Sequence, residues 1–493
     1  MKRYILTLFV LFTCTIAEAK QYHYQYTDGC NKAYNQYMSL HPEEAKELLR
    51  EELISDPYNL MATYISDYDD CLLLLYNGDP VDYTQLKHHQ NERLSLMERG
   101  DEHSPWHRLC KAGIYMHWAF VHLRFNEKLK AASSFRRSYL LLKENRKLFP
   151  KFAYNDIFSG IEEATVGVLP DNFKWVASIF GMRGDVKSGV NKVKSFLDTH
   201  AETDPLYSEA LIYYAYLNYY LLSDKEEAWK IVSADVFNTT DNLMYCFVKT
   251  NIAINYRKAN VAIKILHEAE QSSNYKKYPI FDYEYGYALL YKQDKDAVNR
   301  MNNFLKHYSG GIFVKDAWQK MCYAYHLQGN TRMANYCKKM ILTQGTENTD
   351  SDKQAQRFAE HDKWPDRLLL KAQLFTDGGY YHEALTVLNS VRPEDMSDLP
   401  FELEYRFRLA RVNEELGHSA IAIESYNKTI KLGKERQEQF AARSALQLGF
   451  LYEKSGLNDK AIEMFRLAIS MKDHDFKNSI DQQAKAGLNR LDR

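Results

Sequence analysis

Several groups of residues in this sequence carry donor atoms close enough along the chain to do chemistry. His103, His107 and Cys110 offer two imidazoles and a thiol, the donors of a zinc site. Ser104-Pro105 interrupts the set: proline opens a helix, so His103 falls outside the helix that holds His107 and Cys110. Zinc also wants tighter Cys/His spacing, and the reading is capping or exposed histidines with no metal. Cys322 and Cys337 lie on the two helices of one hairpin, where a disulfide is conceivable. Cys322, however, takes the place of a small core residue, and a buried free thiol fills that place as a small hydrophobe. Glu162-Glu163 and the trio Asp67, Asp69 and Asp70 are carboxylate clusters of a kind that can move protons or hold cations. Solvated helical faces account for both, and the ligand spacing of a calcium loop is absent. The chain has no His-Glu-x-x-His, no Gly-x-Ser-x-Gly and no phosphate-cradling glycine loop. The expectation is a protein that is not an enzyme and uses no cofactor.

Tyrosine is the one unusual abundance, at 37 residues. Tyr213, Tyr214, Tyr216, Tyr219 and Tyr220 crowd into 211–222. Such residues either pack between helices or form a rigid aromatic groove for a peptide or glycan, since tyrosine offers a large contact area at low entropy cost.

The elements that must position these residues are helices. In 442–473 the order is Leu448-Gly449, Tyr452, Gly456, Ala461, Phe465 and Ala468. Gly456 ends a first helix and Asn458 or Asp459 starts a second. Gly449 admits the close approach of the second helix, with Ala461 expected opposite it and Leu448, Tyr452 and Phe465 in the seam. This order resembles a tetratricopeptide (TPR) repeat, a helical hairpin that buries its apolar face only against stacked neighbours. The resemblance implies an all-α protein, a right-handed α-solenoid of stacked helix-turn-helix repeats.

Further units follow the same offsets. Gly184 and Gly189 stand 14 and 19 residues after Pro170, as Gly456 and Ala461 do after Ala442. Other units start at Glu209, Leu243, Pro279, Lys315, Pro365 and Leu403, at spacings of 34 to 50 residues. The block Leu169-Pro170, Phe180-Gly181, Gly184-Asp185 and Gly189-Val190 also resembles a eukaryotic TPR family linked to clearance of lipid-associated inclusion bodies, over about one repeat. That likeness implies architecture only. Upstream, His41-Pro42-Glu43-Glu44 reads as a helix start, 60–76 as one helix, and 112–138 as a degenerate repeat. The domain reading is thus a signal peptide at 1–19, an N-terminal helical region at 20–150 and repeats at 151–345. A polar loop or hinge at 346–364 and C-terminal repeats with a capping helix at 365–493 complete it.

Lys2 and Arg3, an apolar run over 4–16 and Ala17-Glu18-Ala19 read as a secretory signal cleaved after Ala19. A lipoprotein signal at Cys14 is the weaker option, because Leu11-Phe12-Thr13 lacks the usual small residues before it. The protein is expected to be exported, periplasmic or associated with an outer membrane. Its 64 basic and 65 acidic residues nearly cancel, so net charge gives no reason to bind nucleic acid. Six cysteines in the mature chain are too sparse for a disulfide framework.

In the TPR-like unit at Pro279, Tyr285, Gly286 and Leu289 take the seam. Tyr283, Tyr287 and Tyr291 recur every four residues on another face. The resemblance places that face on the concave groove, with Phe247, Asn251 and Asn255 before it and Gln319, Tyr323 and His326 after it. The surface would be aromatic and amide-rich with little charge. It lacks the Lys/Arg-and-Asn set with which related adaptors clamp a terminal carboxylate. The functional expectation is an exported, non-catalytic scaffold for a protein or peptide partner. The alternative is a glycan-binding helical protein of an outer-membrane nutrient-uptake system.

Overall fold

The computed structural model describes residues 21–168, 182–392, 396 and 398–491. Across them helix follows helix from Asp28 to Leu491, no strand forms, and one isolated bridge pairs His23 with Asn59. The chain is an all-α solenoid of stacked helix-turn-helix repeats. The repeat hairpins are Leu243–Asn255 with Ala259–Ala269, Ile280–Lys292 with Ala297–His307, and Val314–Leu327 with Thr331–Thr343. Beyond them come Arg367–Gly378 with Tyr381–Asn389, Leu399–Glu415 with Ser419–Gly433, and Phe440–Lys454 with Asn458–Ser470. No described helix is long and apolar enough to cross a membrane.

Sequence dictates the hairpin at 442–473 locally. Gly456 sits at φ 72°, the left-handed conformation that closes a helix and that glycine adopts without cost. The small position works differently from expectation. A Cβ on Gly449 would stand 2.4 Å from Cε1 of Phe465, and one on Gly487 of the capping helix Lys477–Leu491 would stand 2.5 Å from Cε2 of the same ring. Phe465, rather than Ala461, presses on Gly449, and two glycines make a slot for one fully buried ring.

Three other expectations are corrected. Gly189, read as the small residue of a repeat hairpin, lies against Asn155–Gly167: a Cβ there would stand 2.4 Å from the Gly160 carbonyl oxygen. Residues 169–181, with Pro170, Phe173, Val176, Ala177, Phe180 and half of the inclusion-body resemblance, lie outside the described residues. The segment 60–76 is two helices, Leu60–Ile65 and Asp67–Asn77, joined at Ser66. The segment 346–364 is not a loop throughout. Thr349 caps a helix, Asp350–Glu360, by accepting from the Asp352 N–H, and Asp352, Ala355 and Ala359 are buried. That added helix packs on both helices of the preceding hairpin. Consequently Arg367–Gly378 lies mainly on Ile280–Lys292 and less on its sequence neighbour Val314–Leu327.

The N-terminal helices do not simply precede the stack. Asp67–Asn77 packs on Pro105–Arg124 and reaches two further helices, Tyr207–Tyr216 and Leu243–Asn255, and the turn before Ile280. Tyr68 Oη donates to Glu209 Oε2 at 2.6 Å, and Tyr76 Oη donates to Met244 Sδ at 2.9 Å. The Tyr76 ring meets Phe247 at 5.0 Å and Tyr278 at 5.6 Å, both edge-on. The inner face of the middle repeats is therefore occupied by the chain's own N-terminal region.

Candidate binding groove and the buried polar cluster

Of the nine residues that the sequence places on a concave groove, Asn255 alone is exposed. Phe247 lies against Tyr76. Asn251 donates through Nδ2 to Glu284 Oε1 at 3.0 Å and accepts from Tyr220 Oη at 2.9 Å. Tyr283 is 6 % exposed, stacks on Phe313 and donates to Asp316 Oδ2 at 2.8 Å. Tyr287 and Tyr291 are half-buried: Lys320 Nζ sits 4.8 Å above the Tyr287 ring, and Tyr291 abuts Gly378. Gln319 is buried. Tyr323 packs on Phe358, and His326 stacks on Trp364 while Nε2 donates to the Pro365 carbonyl at 2.9 Å. Phe358 and Trp364 come from the segment read as a loop, which covers this end of the stripe. The surface is neither open nor uncharged. Glu284 and the pair Asp316–Lys320, at 2.9 Å, are buried among these residues. Burial pushes the Glu284 carboxyl up to about 7, against the Asn251 hydrogen bond that lowers it.

A polar inner face lies in the C-terminal repeats, with Ser479 and Gln483 exposed at its rim. Arg367–Gly378, Leu399–Glu415, Phe440–Lys454 and the capping helix Lys477–Leu491 line a cavity of about 290 Å³. Its lining includes Phe407, Leu446 and Ile480, the amides of Gln373, Gln447 and Gln483, and the guanidinium groups of Arg257, Arg408, Arg411 and Arg443. Three of these arginines are committed. Arg408 donates to Glu404 at 2.8 Å and to Gln373 at 2.8 Å. Arg411 donates to Glu414 at 2.7 Å, Gln447 at 2.8 Å and Glu415 at 2.9 Å. Arg257 pairs with Glu415. Burial opposes the Arg411 charge, but Tyr426, Glu414 and Glu415 outweigh it and hold its pKa above the ordinary value. Arg443 differs. Its guanidinium lies 5.3 Å over the Phe476 ring, and among the described residues no carboxylate reaches ion-pair distance. Burial, and then Arg408 and Arg411, push its pKa down, with Asp377 the opposing charge. The groove thus presents one cation without an ion pair beside three committed ones, three amides and the Asp377 carboxylate, an arrangement with a net positive lining that accepts an anion. Tyrosine abundance in the sequence points to the middle repeats and away from this groove. Arg408, Arg411 and Gln447 were legible as polar residues on the same helix face as the repeat's inner positions.

The acidic clusters are not solvated faces. Asp67 is fully buried and accepts from His117 Nδ1 at 3.0 Å, Trp118 Nε1 at 2.9 Å and Arg93 at 3.2 Å. Cys71 Sγ lies 3.5 Å away. Asp70 pairs with Arg93 at 2.6 Å and His89 at 2.8 Å, and Asp69 with Lys46 at 3.3 Å. His117 Nε2 is 3.4 Å from Glu209 Oε1, an ion-pair contact without hydrogen-bond alignment, and Glu209 also accepts from Tyr68 and from Tyr213 at 2.7 Å. Burial disfavours the imidazolium, but Asp67 and Glu209 prevail and raise the His117 pKa to about 9. Asp67, Cys71 and His117 bring three metal-ligand atoms within 4.8 Å of one another. They make a poor metal site, since the ring is protonated and the carboxylate oxygens already accept from three donors. Glu162 is 1 % exposed and burial pushes its carboxyl well above the ordinary carboxylate range, while Glu163 pairs with Lys192. His103 is exposed and pairs with Asp101, whereas His107 meets Tyr24 Oη at 3.0 Å. All six described cysteines are free and buried.

No protein-family model matches the sequence, and no curated protein matches it. Among solved structures, a chain of the structure of Naa15/Naa10 bound to HypK-THB aligns over 94% of this chain and 78% of that chain, at 12% identity and a TM-score of 0.19. A likeness of that size carries no argument about function.

Proposed function

We propose that the protein is an exported, non-catalytic scaffold whose C-terminal groove binds a protein segment through a carboxylate. Arg443 carries this reading: its half-buried guanidinium lines a groove of about 290 Å³, and among the described residues no carboxylate, that of the lining Asp377 included, reaches ion-pair distance of it. A cation in that state gains most from an incoming anion, and planar guanidinium groups favour carboxylates. Phe407, Leu446 and Ile480 supply apolar contact beside it, and the glutamine amides suit an extended backbone. The carboxylate could belong to an acidic side chain or to a chain end, and the test separates them. In a displayed peptide library, amidating the C-termini should abolish binding if the carboxylate is a chain end, and replacing Asp/Glu by Asn/Gln should abolish it if the carboxylate is a side chain. Arg443→Glu should abolish that binding. Binding that survives both amidation and loss of acidic side chains would contradict the reading.

The tyrosines that motivated a glycan-binding alternative are mostly spent on packing, so nothing here favours it over a protein partner. Export to a periplasm or an outer membrane rests on Lys2, Arg3, the apolar run and Ala17-Glu18-Ala19. N-terminal sequencing of the mature protein should begin at Lys20, and a lipid on Cys14 would instead put the protein on a membrane.

A further inference from the structure

A second cavity, of about 280 Å³, lies between the N-terminal helices and the inner face of the middle repeats. Asp67–Asn77 supplies Leu72 and Leu75, Pro105–Arg124 supplies Phe120, and the repeats supply Ile212, Val248 and Phe247. Its wall is overwhelmingly apolar. An apolar cavity of about 150 Å³ already stays dry and takes up benzene, so this one has room for a larger apolar body.

Polar groups reach the cavity mainly from two places on one helix. His117 and Arg124 are seven residues apart, roughly 10 Å at the helical rise, with Phe120 between them. At the His117 end the charges are internally matched: Asp67, His117, Glu209 and Arg93 form the cluster described above, and the tyrosine hydroxyls donate into it. At the other end Arg124 is unmatched. Its guanidinium donates to Tyr308 Oη and lies 6.0 Å from the Phe313 ring centre, while Nε is buried without a hydrogen-bond partner. Among the described residues no carboxylate reaches ion-pair distance of it. Asp352 is the acid nearest in effect, but its oxygens already accept from the Phe313 and Asp316 N–H groups at 2.8 and 3.2 Å and from Thr349 at 2.6 Å. Burial accordingly pushes the Arg124 pKa down.

We infer that this cavity binds a single-chain amphiphile, its acyl chain against Phe120, Leu72, Leu75, Ile212 and Val248 and its anionic head on Arg124. The head would satisfy the orphaned Nε and neutralise the one unmatched charge among the described residues of the wall. A cationic or neutral head of the same chain would leave both unsatisfied. The inference does not depend on the C-terminal groove or on a protein partner.

Calorimetric titration of the full chain with decanoate, octanoate and decyltrimethylammonium tests it. Decanoate should bind one to one and about tenfold more tightly than octanoate, since two methylene groups are buried. Decyltrimethylammonium should not bind. Arg124→Met should weaken decanoate at least tenfold. Val248→Trp, which fills the chamber and leaves Arg124 in place, should abolish decanoate binding, with a melting curve confirming that the variant is folded. The inference is overturned if decanoate does not bind, if the cationic amphiphile binds equally well, or if either folded variant binds decanoate like the parent.

Discussion

The middle and C-terminal repeats use the same hairpin but spend their inner faces differently. In the middle repeats, Tyr68 and Tyr76 come from the N-terminal helices to close over Glu209, Met244 and Phe247. In the C-terminal repeats no N-terminal helix among the described residues lies over Arg408, Arg411 and Arg443, and the face is a polar, half-buried groove. One inner face has become a core with buried charges, and the other has remained a surface. Repeat register says which residues point inward, but not whether another part of the chain is already there.

The largest effect should come from the tyrosine stripe. Register alone separates Tyr285, in the seam, from Tyr287, in the groove. The structure makes both of them packing residues: Arg300 lies 4.3 Å over the Tyr285 ring, and Tyr287 is pinned between Tyr283 and Tyr291. Chemical denaturation should show Tyr285→Ala and Tyr287→Ala each losing roughly 2–5 kcal/mol. A Tyr287→Ala protein as stable as the parent would restore the open groove.

Next comes pH. His117 titrates near 6.5 when unfolded and at about 9 when folded. The folded state therefore holds a proton that the unfolded state releases. The contribution is complete below about pH 6.5 and disappears as pH rises through about 9, amounting to roughly 3 kcal/mol at 1.36 kcal/mol per unit. Melting curves of the parent should fall over that window, and those of His117→Gln should fall less. Identical slopes would remove the charge cluster from the account of the middle repeats.

A smaller effect is expected in the C-terminal block. Gly449→Ala should overpack the Phe465 slot and cost roughly 1–3 kcal/mol, because the ring is also held by Gly487. A melting temperature equal to the parent's would show that the ring has somewhere to move. Smallest of all is Arg443→Ala, which should change stability by about 0.5 kcal/mol or less, since no ion pair is lost. A large destabilisation would mean that Arg443 holds the fold and is not free for a ligand.

The C-terminal hairpin was legible because its determinants are neighbours: Gly449, Gly456 and Phe465 lie within one repeat, and even there the contact of Phe465 with Gly487 escaped because the capping helix is a separate element. Ser104-Pro105 was legible for the same reason, and Ser104 does cap that helix by accepting from the Trp106 N–H at 3.3 Å. What failed depends on distant partners. The burial of Asp67 needs His117, that of Glu209 needs Tyr68, and no local pattern joins them. The helix Asp350–Glu360 was hidden by its polar composition, although Thr349 followed by Ala355, Phe358 and Ala359 marks a cap and a narrow apolar stripe. The candidate groove was readable as a position in the repeat, but its occupancy was not.

The most direct test of this division is thiol labelling of the folded protein. All six described cysteines are buried, so the parent should react slowly with a maleimide. Met244→Cys places a thiol beneath Tyr76, and Gln483→Cys places one at the exposed edge of the C-terminal groove. The account predicts that Gln483→Cys labels at least tenfold faster than Met244→Cys, with melting curves showing both folded. Equal rates would mean that the N-terminal helices do not cover the middle repeats, and the division between a filled face and an open one would be wrong.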